Sequence, residues 1–453
     1  MDYYVSPDAR PGQSAGSLAD PWSFQRLMTH WPEPGDVFHL RAGAAYNGAL
    51  EWFYLADAEQ PVTLTRYGAA AENPVIISGE RRGLHCAGSG LIVRSVNFSG
   101  SGPAGIEVNN ELAGKPARNY LFEGVTATGY SLAGIVLTAN ALVEKIVIKG
   151  CHLHHNANGI AASGAHVEFA AGVYRYTGFN SLRDLTVIDT DCSDNFLPNA
   201  DTHGNGMSLV GVDGLRVLYS KAFRNGAMSG QGHSGITAQQ CRDVEIAHNH
   251  IGGTRPGPAG DGQNVVCNSC ERFDVHHNTM EGGNIGASAH DDREDVGPHY
   301  PSRRGRIRNN VIVNPAIGVQ VWRTLGDVWI EDNDIWVHAE KSEYRKCFSF
   351  DGPHDGRIFV RGNVVKATGD SKAMGALLLE AAYGTGLKSI WFSNSNSWEW
   401  EAWNHKPFRV LGQDYATLAE ASEVQHAASA TDPLSKSDWS SQIGRCPLPS
   451  TAS

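Results

Sequence analysis

The sequence predicts an all-β protein, a solenoid in which every coil contains three short strands. The chain has 453 residues, about three times the usual length of a single domain, so it either divides or repeats. The pattern in DVEIAHNHI at 243–251 recurs at intervals near 30 residues, with no helical periodicity between its copies. Glycine is abundant, with 51 residues, which indicates frequent turns. We therefore predict a parallel β-helix of about nine to eleven turns.

Each copy of the repeat places a polar corner, in its clearest form an asparagine, between two short strands of alternating apolar residues. Clear copies are centred on Asn249, Asn278, Asn310, Asn333 and Asn363, and weaker copies on Val125, Cys151, Thr190, Ser220 and Ser395. A side-chain amide can donate to one neighbouring coil and accept from the other. Asparagine also tolerates a left-handed backbone, so stacked asparagines suit a sharp corner.

A third short strand, often opened by glycine, follows each corner. We predict these strands in GIVL (134–137), GIAA (159–162), GMSL (206–209), GITA (235–238), NVVC (264–267), GASA (286–289), GVQV (318–321), CFSF (347–350) and ALLL (376–379). Three strands per period close each coil, and adjacent coils then lie about 4.8 Å apart.

The open ends of a solenoid need covers. Residues 21–31 read as a short amphipathic helix that caps the first coil, and 412–428 as an alanine-rich helix followed by an extended tail. We expect one β-helix domain over 1–402 and a C-terminal capping segment over 403–453. Two insertions break the period of the repeat, at 164–182 and 252–262, and are expected to be loops that project beside the third strand.

Charge and hydropathy limit the classes of partner. The formal net charge is −11, which argues against nucleic-acid binding driven by net charge. No uncharged apolar run reaches the roughly 18 residues of a membrane-spanning helix. The eight cysteines are too sparse for a disulfide scaffold. Cys267 and Cys270 form the one close pair, for which a structural or disulfide role outweighs metal binding.

The opening YYVSPDARPGQ and the segment PGDVFHLRAGAAYNG at 34–48, together with the repeat, resemble the right-handed parallel β-helix proteins of the pectate-lyase-like group. The resemblance covers about residues 1–400. It implies a right-handed coil and a protein that acts on polysaccharides. We accordingly expect an extracellular or periplasmic protein whose signal has been removed.

Alternation along the third strands decides which side chains leave the core. In GITA, Ile236 and Ala238 point inward, so Thr237 and Gln239 point outward. The same parity on every coil predicts one outward column at the strand exits: Thr138, Ser163, Val210, Gln239, Asn268, His290, Trp322, Asp351 and Glu380. A one-residue slip would instead place Cys267 at the Asn268 position.

The C-terminal half of this column has the composition of an active site. We predict four catalytic residues: His290, Asp291, Arg323 and Asp351. We predict five substrate-binding residues: His233, Gln239, Trp322, His354 and Glu380. The indole would stack on a sugar ring, and the guanidinium would match a uronate carboxylate. The alternative is an ordinary solvated turn on a soluble β-helix.

Loops before the third strand hold a second polar cluster, in DTHGNG, GQGHSG and GDGQN, with His203, His233 and Asp261 at similar offsets. Asp261 and Asp292 are candidate oxygen ligands for calcium, although carboxylates alone specify no metal. Histidines also crowd the asparagine corner, where His248 and His277 stack one coil apart. We interpret the corner histidines as surface residues.

Three functions fit this column. The first is a polysaccharide lyase acting on a uronate-containing glycan, with Arg323 on the carboxylate and His290 or His354 as base. The segment SFDGPHDGRIFVRGNVV at 349–365 resembles mannuronan C5-epimerases and related alginate enzymes, which implies catalytic-site roles for Asp351, His354 and Asp355. The second is a glycoside hydrolase with paired carboxylates. The third is a carbohydrate-binding or adhesive solenoid without catalysis.

Overall fold

The structure is a computed structural model. It describes the following residues: 1–10, 14–56, 58–110, 116–139, 141–164, 166–170, 173–177, 181–196, 204–226, 234–254, 262–291, 302–324, 326–340, 343–352, 354, 356–370, 375–382, 390–393, 395–401, 406–410 and 413–416.

Three parallel sheets run along the solenoid, and each coil contributes one strand to each sheet over most of the length. The first sheet holds the strands that precede the corner: Asp2–Val5, Val37–Arg41, Val62–Tyr67, Leu91–Arg94, Ala117–Glu123, Val143–Lys149, Leu182–Ile188, Val212–Leu218, Arg242–Ala247, Glu271–His276, Gly305–Arg308, Val328–Glu331, Ile358–Arg361 and Ile390–Phe392.

The second sheet follows the corner and has two parts. One part holds Ala45–Asn47, Val75–Gly79, Asn97–Gly100, Thr126–Thr128 and His152–His154. The other holds Lys221–Phe223, His250–Gly252, Thr279–Glu281, Val311–Val313, Asp334–Ala339, Val364–Gly369 and Ser397–Glu401. Single bridges through Asp191 join the two parts.

The third sheet holds the strands predicted from the glycine-led motifs. Its strands are Leu50–Ala56, Leu84–Ser89, Ala104–Asn109, Ala133–Thr138, Asn158–Ser163, Met207–Val210, Ser234–Gln239, Gln263–Asn268, Ile285–His290, Ile317–Trp322, Tyr344–Asp351, Gly375–Ala382, Phe408–Val410 and Gln413–Tyr415. Neighbours pair in parallel, except for the last two strands, which are antiparallel.

The predicted parallel β-helix is confirmed. The repeat marks about ten turns, and the coils before residue 110 belong to the same sheets although the clear asparagine repeat does not reach them. Inward side chains from all coils form one continuous apolar core that runs from Val5 to Val410. Glycine opens many third strands for a steric reason: a Cβ on Gly159 would lie 2.5 Å from the carbonyl oxygen of Gly206 on the next coil.

The asparagine corner is a continuous hydrogen-bonded ladder. Asn278 Nδ2 donates to the Ile246 carbonyl of the preceding coil at 2.8 Å and to Asn310 Oδ1 of the next coil at 3.0 Å. Its Oδ1 accepts from the backbone N–H of Asn249 at 2.9 Å. Because this side chain is 1% exposed, each of these bonds replaces a hydrogen bond to water that the amide loses on burial. The predicted bridging of coils by stacked amides is therefore confirmed.

Two details of the corner differ from the prediction. The left-handed residue is the one before each of the five clear asparagines, for example His277 at φ 53°, because the amide must turn inward to reach the next coil. The last copy is centred on Asn396, not on Ser395: Asn363 N–H donates to Asn396 Oδ1 at 3.0 Å.

The ends and the insertions also differ. A helix is present at Phe24–Thr29, shorter than the predicted 21–31, and its buried Phe24 and Leu27 join the core. Its capping role stays a prediction. Where the helix at 412–428 was predicted, Gln413–Tyr415 is a strand, because it pairs with Phe408–Val410 and extends the third sheet beyond residue 402. The rest of that range lies outside the described residues.

The insertion at 164–182 is a β-hairpin and not a plain loop. Strands His166–Ala170 and Val173–Thr177 pair antiparallel, since a two-residue connection favours local pairing of adjacent strands. Most of the other insertion, 252–262, lies outside the described residues. Within the part of the chain that the structure describes, no helix is long and apolar enough to cross a membrane.

Candidate functional site

The third sheet aligns the predicted column. Backbone pairing places Gln239 beside Asn268, Asn268 beside His290, His290 beside Trp322, and Trp322 beside Asp351. Parallel pairing without a bulge keeps these side chains on one face, one coil apart. Asn268 holds the outward position as predicted. The residue before it, Cys267, is fully buried.

Trp322 provides an exposed aromatic surface on this face. Its side chain is 41% exposed, and the His290 ring meets it edge to face with centroids 5.7 Å apart. Gly352, at φ +83°, lies nearby, and a Cβ added there would stand 3.3 Å from the indole. The His290 ring therefore packs against the indole, whose exposed surface is available for stacking on a sugar ring.

Asp351 is held by hydrogen bonds to one of its two carboxylate oxygens. Ser349 Oγ donates to Oδ2 at 2.7 Å, and Gln320 Nε2 donates to the same oxygen at 3.0 Å. Among the residues that the structure describes, none donates a hydrogen bond to Oδ1. The carboxylate is thus fixed in orientation while one oxygen keeps its capacity to accept from a ligand.

Arg323 follows Trp322 in the left-handed conformation, at φ 55°. Its backbone N–H donates to the Asp351 carbonyl at 3.0 Å, which sets the turn at the strand exit. The guanidinium is partly exposed and makes no hydrogen bond or ion pair within the described ranges. Most arginines of the first sheet, by contrast, are paired with carboxylates, as Arg308 is with Asp274 at 2.8 Å.

The structure moves Glu380 out of the predicted column. The register aligns Glu380 with Ser349, and Ala382 with Asp351. The cause is the longer strand Gly375–Ala382: its inward Leu379 and Ala381 match Phe348 and Phe350 of the preceding coil. This shift keeps Glu380 on the outward face but places it two residues before the Asp351 position along the strand.

Glu380 anchors a cluster that sequence reasoning missed. Its carboxylate pairs with Lys346 Nζ and accepts a hydrogen bond from Tyr344 OH at 3.1 Å. Arg409 Nη1 donates to that hydroxyl at 3.0 Å, and its guanidinium lies over the tyrosine ring. The long strand Tyr344–Asp351 carries both Lys346 and Tyr344, and its apolar CFSF core alone did not reveal how far it extends.

Two other predicted residues are buried beside the face. Asp291 is 2% exposed, and its carboxylate accepts from the Ser302 backbone N–H at 3.0 Å and from Ser269 Oγ at 3.4 Å. His354 is 6% exposed, with Nδ1 3.4 Å from Thr324 Oγ1. Each follows the exit of a third-sheet strand and is buried there, so neither side chain lies on the outward face where it was predicted.

The remaining predicted positions lie outside the described residues: His203, His233, Asp261, Asp292 and Asp355. The calcium site that Asp261 and Asp292 would form accordingly stays a prediction. Cys267 and Cys270 are both buried free thiols, so the disulfide alternative is wrong. They pack as small apolar residues, and Cys270 Sγ lies 3.3 Å from the Ala238 carbonyl.

A further titratable cluster occupies the outer face of the third sheet near its N-terminal end. His85 Nδ1 lies 3.1 Å from Glu51 Oε2, and Glu107 on the next coil pairs with Arg82. Register places Glu51, His85 and Glu107 in one column. Sequence reasoning missed it because the clear asparagine repeat, which set the column elsewhere, does not extend to these coils.

The fold is similar to that of the GH136 lacto-N-biosidase from Eubacterium ramulus. The native crystal structure is 13% identical, with a TM-score of 0.54, over 88% of this chain and 68% of that chain. The selenomethionine derivative is 14% identical, with a TM-score of 0.52, over 80% and 67%. A rhamnogalacturonan lyase, 13% identical over 89% and 87%, has a TM-score of 0.37. The match to the biosidase shows a shared β-helix fold.

No protein-family profile matches the sequence, and no curated protein matches it.

Proposed function

We propose that this protein is a carbohydrate-active enzyme that binds a sugar chain along the C-terminal half of the third sheet. Its reaction is β-elimination in a uronate-containing polysaccharide. The observation that carries this proposal is the partly exposed Arg323 guanidinium, uncommitted within the described ranges, at the exit of the column that holds His290, Trp322 and Asp351. A cation that has no partner among the described residues, on a protein of net charge −11, suits an anionic ligand.

Each residue has a role in this reaction. Trp322 stacks on a sugar ring and sets its height above the sheet. Arg323 binds the uronate carboxylate and stabilises the negative charge that develops on it when the neighbouring carbon loses its proton. Asp351, oriented by Ser349, accepts a hydrogen bond from a sugar hydroxyl through Oδ1.

His290 is the base in this proposal, since the burial of His354 removes the other candidate from the face. An imidazole takes up a proton near neutral pH without a large shift of its pKa. It accepts the proton from the carbon next to the uronate carboxyl group. The electrons of that C–H bond form a carbon–carbon double bond, the bond to the glycosidic oxygen breaks, and that oxygen leaves with a proton from solvent.

The test compares products from uronate-containing and neutral polysaccharides. β-Elimination raises both the ultraviolet absorbance of an unsaturated uronate and the number of reducing ends. His290→Ala should lower turnover on the order of 10²-fold or more. His338→Ala is the matched control, since His338 is a partly exposed histidine of the second sheet that bonds Thr368 at 2.7 Å. Full activity of His290→Ala, or loss in both variants, would remove His290 from the proposal.

Glycoside hydrolysis is the second candidate, favoured by the fold shared with a lacto-N-biosidase and by two carboxylates on one face. The observed register puts the α-carbons of Asp351 and Glu380 about 8 Å apart on a diagonal, from the coil spacing and the rise per residue. Inverting enzymes separate their two carboxyl groups by roughly 6.5–9.5 Å, a spacing that side chains on one face can adopt when their α-carbons are this far apart. Reducing ends without the ultraviolet signal would support this reaction.

Two further outcomes are informative. A change of uronate configuration, detected by NMR of the unbroken polymer, would indicate an epimerase. Binding of the polymer with no chemical change would indicate a carbohydrate-binding solenoid. The same assay with a chelator tests the predicted calcium dependence, because removal of Ca²⁺ should lower activity only if the ion takes part.

A further inference from the structure

Three histidine side chains of two adjacent coils converge at the asparagine corner, on a different edge of the molecule from the third-sheet face. His248 precedes Asn249, and His276 and His277 precede Asn278. One imidazole nitrogen of each lies within 4.8 Å of those of the other two. The sequence suggested two stacked surface rings, whereas the structure adds His276 as a third member.

The backbone holds this cluster in place. Both His248 and His277 are in the left-handed conformation, at φ 59° and 53°, and the next residue of each is an asparagine of the buried ladder. The ladder therefore fixes the distance between the two coils at this point. The His248 ring is stacked between Tyr219, at 4.8 Å, and His277, at 5.0 Å.

His276 has a neighbour at each of its two ring nitrogens. Its Nδ1 lies 2.9 Å from Nδ1 of His277, while its Nε2 faces Glu245 Oε1 at 3.5 Å. A carboxylate on the far nitrogen is the usual support of a metal-bound histidine, since it orients the ring and makes the ligating nitrogen more basic. His276 is also nearly buried, 9% exposed, so its ring has little freedom to turn away.

We propose that His248, His276 and His277 bind one divalent transition-metal ion of the zinc class. Neutral imidazole is a preferred ligand of Zn²⁺, Cu²⁺ and Ni²⁺. Zinc–nitrogen bonds of about 2.0–2.1 Å in a tetrahedral arrangement place ligand nitrogens about 3.3 Å apart. The nitrogens of His276 and His277 are 2.9 Å apart, all three ligand nitrogens lie within 4.8 Å of one another, and metal binding would require the stacked His248 and His277 rings to turn toward the ion. Three protein ligands leave a fourth position for water.

This site is independent of the proposed polysaccharide reaction, and its test needs no substrate. The metal-free full chain is titrated with ZnCl₂ by calorimetry, and bound zinc is counted by elemental analysis after gel filtration. The wild type should bind one zinc ion more per chain than His277→Asn binds. Asparagine is chosen because it tolerates the left-handed backbone at this position.

His155→Asn is the matched control. His155 also has a positive φ, at 56°, and its Nδ1 lies 2.7 Å from Nδ1 of the preceding His154. It directly follows the second-sheet strand His152–His154 and belongs to a different group of histidines. This variant should keep the zinc site, whereas His248→Asn and His277→Asn should each weaken it at least tenfold.

A second readout reports the geometry. Co²⁺ in place of Zn²⁺ should give the strong visible absorption of a tetrahedral site, and that band should vanish in His277→Asn with the circular dichroism of the fold unchanged. No zinc bound by the wild type, equal zinc affinity in the wild type and His277→Asn, or loss of the ion in His155→Asn alone would each overturn the proposal.

Discussion

The asparagine corner and the outward face of the third sheet are both polar arrays that run along the solenoid, but they use their polar groups differently. At the corner each buried amide is bonded to the coil before and the coil after, so Asn310 both accepts and donates across coils. On the third-sheet face, among the residues that the structure describes, Asp351 Oδ1 accepts no hydrogen bond and the Arg323 guanidinium has no ion pair, since the bonds to Asp351 reach only Oδ2. Polar groups whose hydrogen bonds are all made within the protein stabilise the fold, and groups that still have an available acceptor or charge are suited to bind a ligand.

The largest effect should come from breaking the corner. Asn310→Ala removes the acceptor of the Asn278 N–H and the donor to the Val275 carbonyl. Each buried group left unpaired costs about 1–3 kcal/mol. The free energy of unfolding should therefore fall by about 3–5 kcal/mol, measured by denaturant titration.

Val311→Ala is the control for that experiment. Val311 is the next residue and is 43% exposed, so its loss should change stability by no more than about 0.5 kcal/mol. Equal destabilisation in both variants would show that the ladder hydrogen bonds of Asn310 contribute no more to stability than the exposed side chain of Val311. In the folded protein, turnover of Asn310→Ala should match that of the wild type, which would confirm that the corner and the face are separable.

Arg323→Ala tests the face. The substitution removes the cation proposed to stabilise charge on the uronate, and loss of one such group lowers kcat by on the order of 10²–10³. Steady-state kinetics on the uronate polymer measure this effect, and the melting temperature should stay unchanged. Arg94→Ala, on the first sheet and paired with Glu123 at 3.1 Å, should keep full activity. A fall in the melting temperature would instead assign Arg323 to the fold.

Trp322→Ala should have a smaller effect, expressed mainly in KM. Loss of ring stacking is worth about 0.5–1.5 kcal/mol, so KM should rise about two- to twelvefold while kcat changes little. Trp336 lies on the second sheet with nearly the same exposure, 40% against 41%. Trp336→Ala should leave KM unchanged, and an equal rise in both variants would mean that the polymer does not bind along the third sheet.

Ser349→Ala should have the smallest effect. Ser349 is fully buried and orients Asp351 through one hydrogen bond, worth about 1 kcal/mol, so kcat/KM should fall roughly fivefold. Ser288 occupies the same column two coils earlier and bonds Gln263 instead. Ser288→Ala should therefore leave kcat/KM near the wild-type value. A larger loss in Ser288→Ala than in Ser349→Ala would place the reacting centre nearer the N-terminal coils.

Local patterns predicted much of this molecule. Strand parity follows from the two-residue alternation of apolar residues, which is why the column from Gln239 to Asp351 is aligned as expected. One failure has a cause that lies outside local patterns. Glu380 is displaced because the length of its strand depends on the packing of Leu379 and Ala381 against the preceding coil, and no local pattern shows that register.

A second set of buried asparagines shows the same limit. Asn156 and Asn195 form another ladder between the second and third sheets, with the Asn156 N–H donating to Asn195 Oδ1 at 3.2 Å. These residues are 39 positions apart and lie in segments without a shared apolar pattern, so the repeat does not align them. Their contact depends on how the chain folds back over a whole coil.

The sequence alone therefore determined the coil, its three strands and which side chains leave the core, because these features depend on alternation and on corner residues a few positions apart. Only the tertiary structure decided which of the predicted outward side chains are buried or already paired with other groups of the protein. In the folded chain Asp291 and His354 are buried, and Glu380 forms an ion pair with Lys346. His248, His276 and His277 come together there as well. Such commitments depend on the register between coils about thirty residues apart, and this register is set by packing across the whole core.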